Sequence, residues 1–247
     1  MKKIFALIGS EKKGKSNTYQ YANLILERVR CKYQNGLEIN IMVAGNREVY
    51  KCQECKGCFE TGECLLDERD YMQEIKEKML SADIIVLGCG VYFQHISSEM
   101  KNIIDRLAYW SHIFALAGKQ CVILTTSGSN GNEFAEAYLK RISLSLGMQI
   151  VGCSYCRVEY PKELHNWYFI EDRVEQIAEV IIRALKNEIS IKSNEFQERL
   201  FSSMKEIYKT HSEFIHEIEV WRRNELFQCE TFEDVMCNVK RKNRNKE

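Results

Sequence analysis

Four cysteines within thirteen residues, Cys52, Cys55, Cys58 and Cys64, carry the sharpest chemical signal in this 247-residue chain. The spacing Cys-x2-Cys-x2-Cys-x5-Cys puts three thiols on one tight curl, and a fourth closes from six residues further on. That compactness suits a cubic four-iron, four-sulfur cluster, in which each iron takes one thiolate. Zinc is better served by two Cys-x-x-Cys knuckles separated by a longer span. Radical enzymes that use S-adenosylmethionine usually show Cys-x3-Cys-x2-Cys, which does not match this run either. A four-iron cluster is therefore the expectation, with zinc or unmetallated thiols as the alternatives. The chain has eleven cysteines in all. An odd count at this density argues against a disulfide framework and for a reducing compartment.

A second constellation is the run Gly9-Ser10-Glu11-Lys12-Lys13-Gly14-Lys15-Ser16-Asn17-Thr18. It satisfies the nucleotide-triphosphate loop pattern G-x4-G-K-[ST] through Gly9, Gly14, Lys15 and Ser16. Triphosphate hydrolysis also requires magnesium, held by an acidic residue at the end of a neighbouring apolar strand. Ile84–Leu87 ends in Gly88-Cys89-Gly90 and Cys121–Leu124 ends in threonines, while Asp83 precedes its strand, at the wrong end of the sheet. Ser10, Ser16, Asn17 and Thr18 instead offer hydroxyls and an amide at a helix N-terminus, a set suited to a monophosphate.

Short β-branched runs and longer helical patterns must position these loops. Lys3–Ile8, Leu37–Val43, Ile84–Leu87, Cys121–Leu124 and Gln149–Tyr155 read as strands, with Leu37–Val43 alternating like an edge. Thr18–Arg30, Asp70–Leu80, a segment capped by Ser98 and running through Leu107, Asn132–Leu146 and Asp172–Leu185 read as helices. Five strand–helix alternations predict an α/β fold with a doubly wound parallel sheet of the flavodoxin or Rossmann type. Ligands in such sheets sit beyond the carboxyl ends of the strands, so the loops Gly9–Thr18, Gly88–Ser97 and Thr125–Gly131 matter most.

Along these loops the sequence resembles the flavodoxin-like NAD(P)H-dependent FMN reductases, where a Gly-Ser…Asn-Thr loop holds the FMN phosphate. Val91-Tyr92-Phe93 through Ser97, then Met100-Lys101 and Ile104-Asp105-Arg106, look like that family's segment beside the flavin ring. The family's small residue and proline before Val-Tyr are replaced here by Cys89-Gly90. The four-cysteine spacing resembles the iron–sulfur flavoproteins, a branch of the same family, over roughly residues 1–155. The resemblance implies a flavodoxin-like five-stranded sheet of order 2-1-3-4-5 and FMN as cofactor. It implies FMN contacts from Ser10, Lys12, Ser16, Asn17 and Thr18, from Gly90, Val91, Tyr92, Phe93 and Gln94, and from Thr126, Ser127, Gly128 and Gly131. Tyr92 and Phe93 would lie flat against the ring, and Gln94 would tune it. Relatives of this kind are oligomeric, so a homodimer or homotetramer is expected.

The remaining candidates are weaker. Cys31, Cys121, Cys229 and Cys237 read as small apolar residues. Cys153 and Cys156 have the spacing of a redox pair, Cys89 would abut the flavin as a reactive thiol, and His95 would be the histidine nearest the ring. No residue is assigned a catalytic role. Beyond residue 190, Phe196 through Ile218 recur at three- and four-residue steps, predicting one long amphipathic helix capped by Ser193 or Asn194. It would pack on its own domain or form an interface. The expected division is an FMN-binding domain over 1–190, then a helical extension with the basic tail Lys240–Lys246 over 191–247. No internal repeat or low-complexity tract occurs.

Lys+Arg and Asp+Glu both number 35, so the neutral chain lacks the basic field of a non-specific nucleic-acid binder. Its apolar runs fall far short of the roughly 20 residues of a membrane span, and its start is not that of a secreted protein. The expectation is a cytoplasmic FMN-dependent oxidoreductase passing electrons from NAD(P)H or another carrier to a small-molecule acceptor. A nucleotide hydrolase, or a binding module built on the last helix, stands as the alternative.

Overall fold

The computed structural model describes residues 1–12, 15–158, 164 and 167–244. Gly14 of the triphosphate pattern and residues 245–247 of the tail lie outside the described residues. Five parallel strands, β1 (Lys2–Gly9), β2 (Leu37–Val43), β3 (Ile84–Gly90), β4 (Gln120–Ser127) and β5 (Gln149–Arg157), form one sheet in the order β2-β1-β3-β4-β5. This is the doubly wound flavodoxin-like order, with β2 at an edge as its alternation predicts.

Period-two alternation divides each inner strand between two cores. On β1, Phe5 and Leu7 enter one layer while Ile4, Ala6 and Ile8 enter the other. The first layer is covered by α3 (Met72–Ser81), α4 (Ser98–Asp105), α5 (Ala108–His112) and α6 (Asn132–Ser145); α2 (Gly57–Thr61) lies in the cysteine loop before them. The second is covered by α1 (Asn17–Lys32) and α7 (Trp167–Leu185), which pack on each other as well. Met72, Ile75 and Met79 are all buried, as their spacing predicts.

Four strands run further than predicted, β3 and β4 by the most. Gly88–Gly90 and Thr125–Ser127, expected to be loop, continue β3 and β4. Parallel pairing on both sides carries the ladder through the glycines of β3, whereas β-branched Thr125 and Thr126 suit a strand in their own right. The helix cap after β3 is Ser97, not Ser98: Ser97 Oγ accepts the Met100 amide at 3.2 Å.

The single long helix expected over Phe196–Ile218 is instead broken into α8 (Glu195–Thr210) and α9 (Ile215–Arg223), and a further helix, α10 (Phe232–Arg244), follows. Asn194 caps α8, its Oδ1 accepting the Gln197 amide at 3.0 Å. These helices fold back on their own chain around Phe114 and Ala117 and build a third core. Trp221, fully buried, stacks on Phe201 with ring centres 5.4 Å apart, and Phe114 meets Phe232 at 4.6 Å. Among the described residues no helix is long and apolar enough to cross a membrane.

Candidate functional site

The carboxyl ends of β1, β3 and β4 face one open cavity of about 250 Å³. From the first loop it is lined by Ser10, Lys12, Ser16, Asn17 and Thr18. Ser10 is buried; its Oγ accepts the Lys12 amide at 3.2 Å and its carbonyl accepts the Gly45 amide at 2.9 Å. Ser16 caps α1 by accepting the Tyr19 amide at 3.3 Å, so the positive end of this sixteen-residue helix opens on the cavity. Asn17 lines the same space with a buried side-chain Oδ1 that has no hydrogen-bond partner.

Gly90, Val91 and Tyr92 line the second side. Tyr92 and His95 exchange backbone hydrogen bonds of 2.8 and 3.0 Å, closing a two-residue turn. Such a turn demands positive φ at its two central residues, and Phe93 (φ 43°) and Gln94 (φ 72°) both adopt it. Non-glycine residues held there cost on the order of 1 kcal/mol or more each. The strained turn carries the Phe93 ring fully into solvent beside the cavity. Tyr92 folds its hydroxyl towards Ser10, and burial pushes its pKa above the usual value despite that hydrogen bond.

Thr126, Ser127 and Gly128 close the third side, joined by Val158. Thr18 Oγ1 and Thr126 Oγ1 are 2.6 Å apart. The Val91 amide donates to the Thr126 carbonyl at 2.8 Å, and the Val158 amide donates to the Ser127 carbonyl at 2.9 Å. Gly131 is left-handed (φ 86°), and a Cβ there would stand 2.9 Å from Val91 Cγ1 and 3.0 Å from Gln94 Cα. Only glycine lets the third loop pass so close beneath the second. Phe93, Gln94 and Gly131 thus shape the rim without lining the cavity, and Gln94 Nε2 donates to Asn130 Oδ1 at 3.2 Å. Val158 follows β5 and carries no sequence signal that would have singled it out.

The secondary candidates fare differently. Cys89 is buried on β3, accepting the Ser97 amide at 3.2 Å, and burial pushes its thiol to about 11. It is a protonated core thiol, not a reactive one. Cys153 packs against the first layer and Cys156 sits in the second, on opposite faces of the sheet, because residues three apart on a strand point opposite ways. They cannot pair. His95 does not line the cavity; its ring lies 4.8 Å from that of Tyr138. Asp83 accepts from Lys2 Nζ at 2.8 Å and from the Lys3 amide at 2.7 Å, at the opposite end of the sheet. β3 ends in Gly90 and β4 in Ser127, so the triphosphate reading finds no carboxylate where magnesium would need one.

The four-cysteine loop stands on the first layer. Arg106, whose side chain is 1% exposed, holds it from beneath: the guanidinium donates to the Tyr50 carbonyl at 2.9 Å, to Asp70 at 2.7 Å and to Asp67 at 2.6 Å. Asn102 Nδ2 adds a bond of 2.6 Å to the Val49 carbonyl, and Lys76 reaches Asp67 at 2.5 Å. Within the loop, Glu54 and Lys56 are left-handed, which curls the chain between successive cysteines. Cys52 and Cys55 are exposed, Cys58 and Cys64 half-buried, and none forms a disulfide. Burial raises the Cys58 pKa, and the fields of Cys64 and Cys52 raise it further. Cys58 thus lies within the fields of two other cysteines, with Lys76 close to it and Arg106 close to Cys64. Among the described residues no three ligand side chains are drawn to metal-binding spacing. The donor set fits a thiolate-ligated cluster in kind, and its cationic neighbours suit the negative charge that such a cluster carries.

Comparison with known proteins agrees with this geometry. The chain is 28% identical over 152 residues to an iron–sulfur flavoprotein of Archaeoglobus fulgidus, covering 61% of this chain and 66% of that protein. It is 32% identical over 133 residues to an iron–sulfur flavoprotein of Methanosarcina thermophila, covering 53% and 66%. It thus spans just under two thirds of the length of each. The solved structure of an NADH:FMN oxidoreductase in its apo form superposes with a TM-score of 0.54 at 20% identity, over 78% of this chain and 92% of that one. An FMN-dependent NADH-azoreductase from Bacillus anthracis, in complex with FMN, gives 0.53 at 17% identity over 75% and 99%. Both likenesses establish the fold. The profile of the NADPH-dependent FMN reductases matches residues 2–160; that is well over half of the sequence, and the chain belongs to this family.

Proposed function

We propose that this chain is an FMN-dependent oxidoreductase that takes electrons from NAD(P)H or another carrier and delivers them to a small acceptor. The observation that carries the reading is the convergence of three strand-end loops on one cavity, with a helix N-terminus and a buried unpartnered amide oxygen at its inner side. Bound FMN would supply hydride and single-electron chemistry; the protein holds it and shapes access. Ser10, Lys12, Ser16, Asn17 and Thr18 would bind the phosphate. Gly90, Val91 and Tyr92 would border the ring, opposite Thr126, Ser127 and Gly128, with Phe93, Gln94 and Gly131 at the rim.

A four-iron cluster on Cys52, Cys55, Cys58 and Cys64 belongs to the same proposal, supported by the spacing of the four cysteines and by the cations beside Cys58 and Cys64. It would allow electrons to leave singly. Residues 1–190 would form the FMN-binding domain and 191–247 its extension, in a cytoplasmic protein whose thiols stay reduced. Exposed Phe93 on the strained turn and exposed Phe134 in the first turn of α6 would meet a second copy of the chain, making a homo-oligomer.

The test is an absorption spectrum of protein purified without oxygen, with iron and acid-labile sulfide assays. Flavin absorbance and about four irons per chain are expected. Flavin without iron would remove the cluster and leave a simple FMN-dependent enzyme. No flavin after FMN addition would sink the reading.

A further inference from the structure

The two halves of the cysteine loop are held by different parts of the chain. The carbonyls of Val49 and Tyr50, just before Cys52, are bound by Asn102 of α4 and by Arg106 just after it. The half from Cys58 to Cys64 is built on α2, a helix of 5 residues with none of them fully buried. A helix that short is not stable on its own in water, so the groups that pack against it decide where it sits. Two contacts do this. The Phe59 ring meets Tyr109 and His112 of α5 edge-on, with ring centres 5.7 and 4.9 Å away. Gly62, left-handed at φ 79°, closes the helix by donating its amide to the Cys58 carbonyl at 3.1 Å. The His216 ring of α9 lies against this glycine: a Cβ there would stand 3.3 Å from Nδ1 and 3.7 Å from Cε1.

Both contacts lead to the last three helices. Trp221 of α9 donates its indole N–H to the His112 carbonyl at 2.9 Å, and the Tyr208 hydroxyl of α8 lies 3.3 Å from His112 Nδ1. Because α5 is also only 5 residues long, these bonds fix the ring that Phe59 meets. His216 shares a helix with Trp221, whose side chain is fully buried in the third core. The third core is thus a rigid base from which α9 reaches the loop at two points. Beside the Gly62 contact a second cleft, of about 690 Å³, opens between loop and helix, with Glu63 on one bank and Glu219 and Arg223 on the other. The seat is therefore narrow, and a single ring carries much of it. The cysteine loop lies within residues 2–160, which match the family, whereas the helices that hold its second half lie beyond them.

From this arrangement we infer that α9 positions the second half of the cysteine loop, with His216 as the residue that seats Gly62 and so sets where Cys58 and Cys64 stand. His216 is a positioning residue: it packs a flat ring on bare backbone, and no proton moves. Cys58 precedes Phe59 and Cys64 follows Gly62 by two residues, so both thiols travel with α2, whereas Cys52 and Cys55 stay with α4. The assignment concerns the loop itself; only its consequence for iron rests on the proposed cluster.

Full-length protein, reduced and stripped of metal by a chelator, is labelled with iodoacetamide at neutral pH, and the rate at each cysteine is read by peptide mass mapping. In His216→Ala, Cys58 and Cys64 should label about fivefold faster than in the parent, as local opening exposes them. Cys52 and Cys55, already exposed, and Cys229, buried in the third core, should keep their parent rates. His216→Phe, which returns a flat ring to Gly62, should restore the parent rates at Cys58 and Cys64. In protein purified without oxygen, His216→Ala should also lose iron to a ferrous chelator faster than the parent, with FMN retained. Unchanged Cys58 and Cys64 rates in His216→Ala, a parallel rise at Cys229, or no recovery in His216→Phe would overturn the assignment. A chain that holds no iron would remove the proposed cluster and leave the thiol rates to decide.

Discussion

Thr18 at the start of α1 and Thr126 near the end of β4 share one buried hydroxyl–hydroxyl hydrogen bond of 2.6 Å. It is the direct side-chain tie between the first and third loops of the cavity, which lie 108 residues apart in the chain. Thr18→Val leaves the Thr126 hydroxyl unpaired and frees the helix start from the strand end. We expect FMN affinity to fall about tenfold, or about 1.4 kcal/mol, in a titration followed by flavin fluorescence. Unchanged affinity would show that this tie serves folding alone.

Arg106 is a different kind of tie, a buried charge between two carboxylates. Asp70 is as deeply buried as the arginine itself. Removing one member strands the others, at a cost of about 3–5 kcal/mol. Arg106→Met should lower the urea midpoint accordingly and release the loop that it anchors. Iron bound per chain would then fall with it, in protein that still takes up FMN.

Thiol reactivity offers a map that needs no cofactor. Burial pushes Cys89, Cys153 and Cys156 to about 11 and Cys121 to about 12. Cys31, Cys52 and Cys55 are exposed. Iodoacetamide at neutral pH followed by peptide mass mapping should label those three first. Cys89, Cys121 and Cys156 should label only after unfolding. Early labelling of Cys89 would restore it as a reactive thiol beside the cavity.

His112 predicts a pH dependence of stability. It sits under the cysteine loop, its ring centre 4.9 Å from that of Phe59, with Tyr208 and buried Glu217 as its polar neighbours. Burial lowers its pKa, and Glu217 at 3.6 Å only partly opposes this. The unfolded chain therefore takes up the proton first as pH falls through the ordinary histidine value of about 6.5, and stability drops there. The thermal midpoint should rise from about pH 5 to pH 7, and His112→Gln should flatten that slope. An unaltered slope in the variant would assign the effect to another group.

The parts of the fold that sequence makes legible are those where one physical rule acts alone. The apolar runs of β1 and β3 and the Met72, Ile75, Met79 spacing of α3 are read directly as burial. Gly88–Gly90 and Thr125–Ser127 mislead because glycine and threonine punctuate loops elsewhere, whereas here neighbouring strands extend the ladder through them. The helix break at residues 211–214 is hidden because apolar spacing continues across it. Only the return of α9 onto Phe114 and Trp221's place in the third core require the turn. The loops around the first cavity are legible from Gly, Ser and Thr at strand ends. Val158 and the second cleft are not, since both arise from contacts between distant segments. Cys153 and Cys156 show the limit most plainly: their spacing suggests a pair, and strand parity separates them by the thickness of the sheet.

The third core has a consequence for how the molecule is made. Its aromatic centre joins Phe201, Trp221 and Phe232 from the last three helices to Phe114, which precedes β4. The last helices follow all five strands in the chain, so every residue of their seat on the sheet domain has been synthesised before they are. They are guests on that platform: grafted onto another protein without Phe114 and Ala117, the same segment would keep its stack of Trp221 on Phe201 but lose the ring that Phe201, Trp221 and Phe232 all meet.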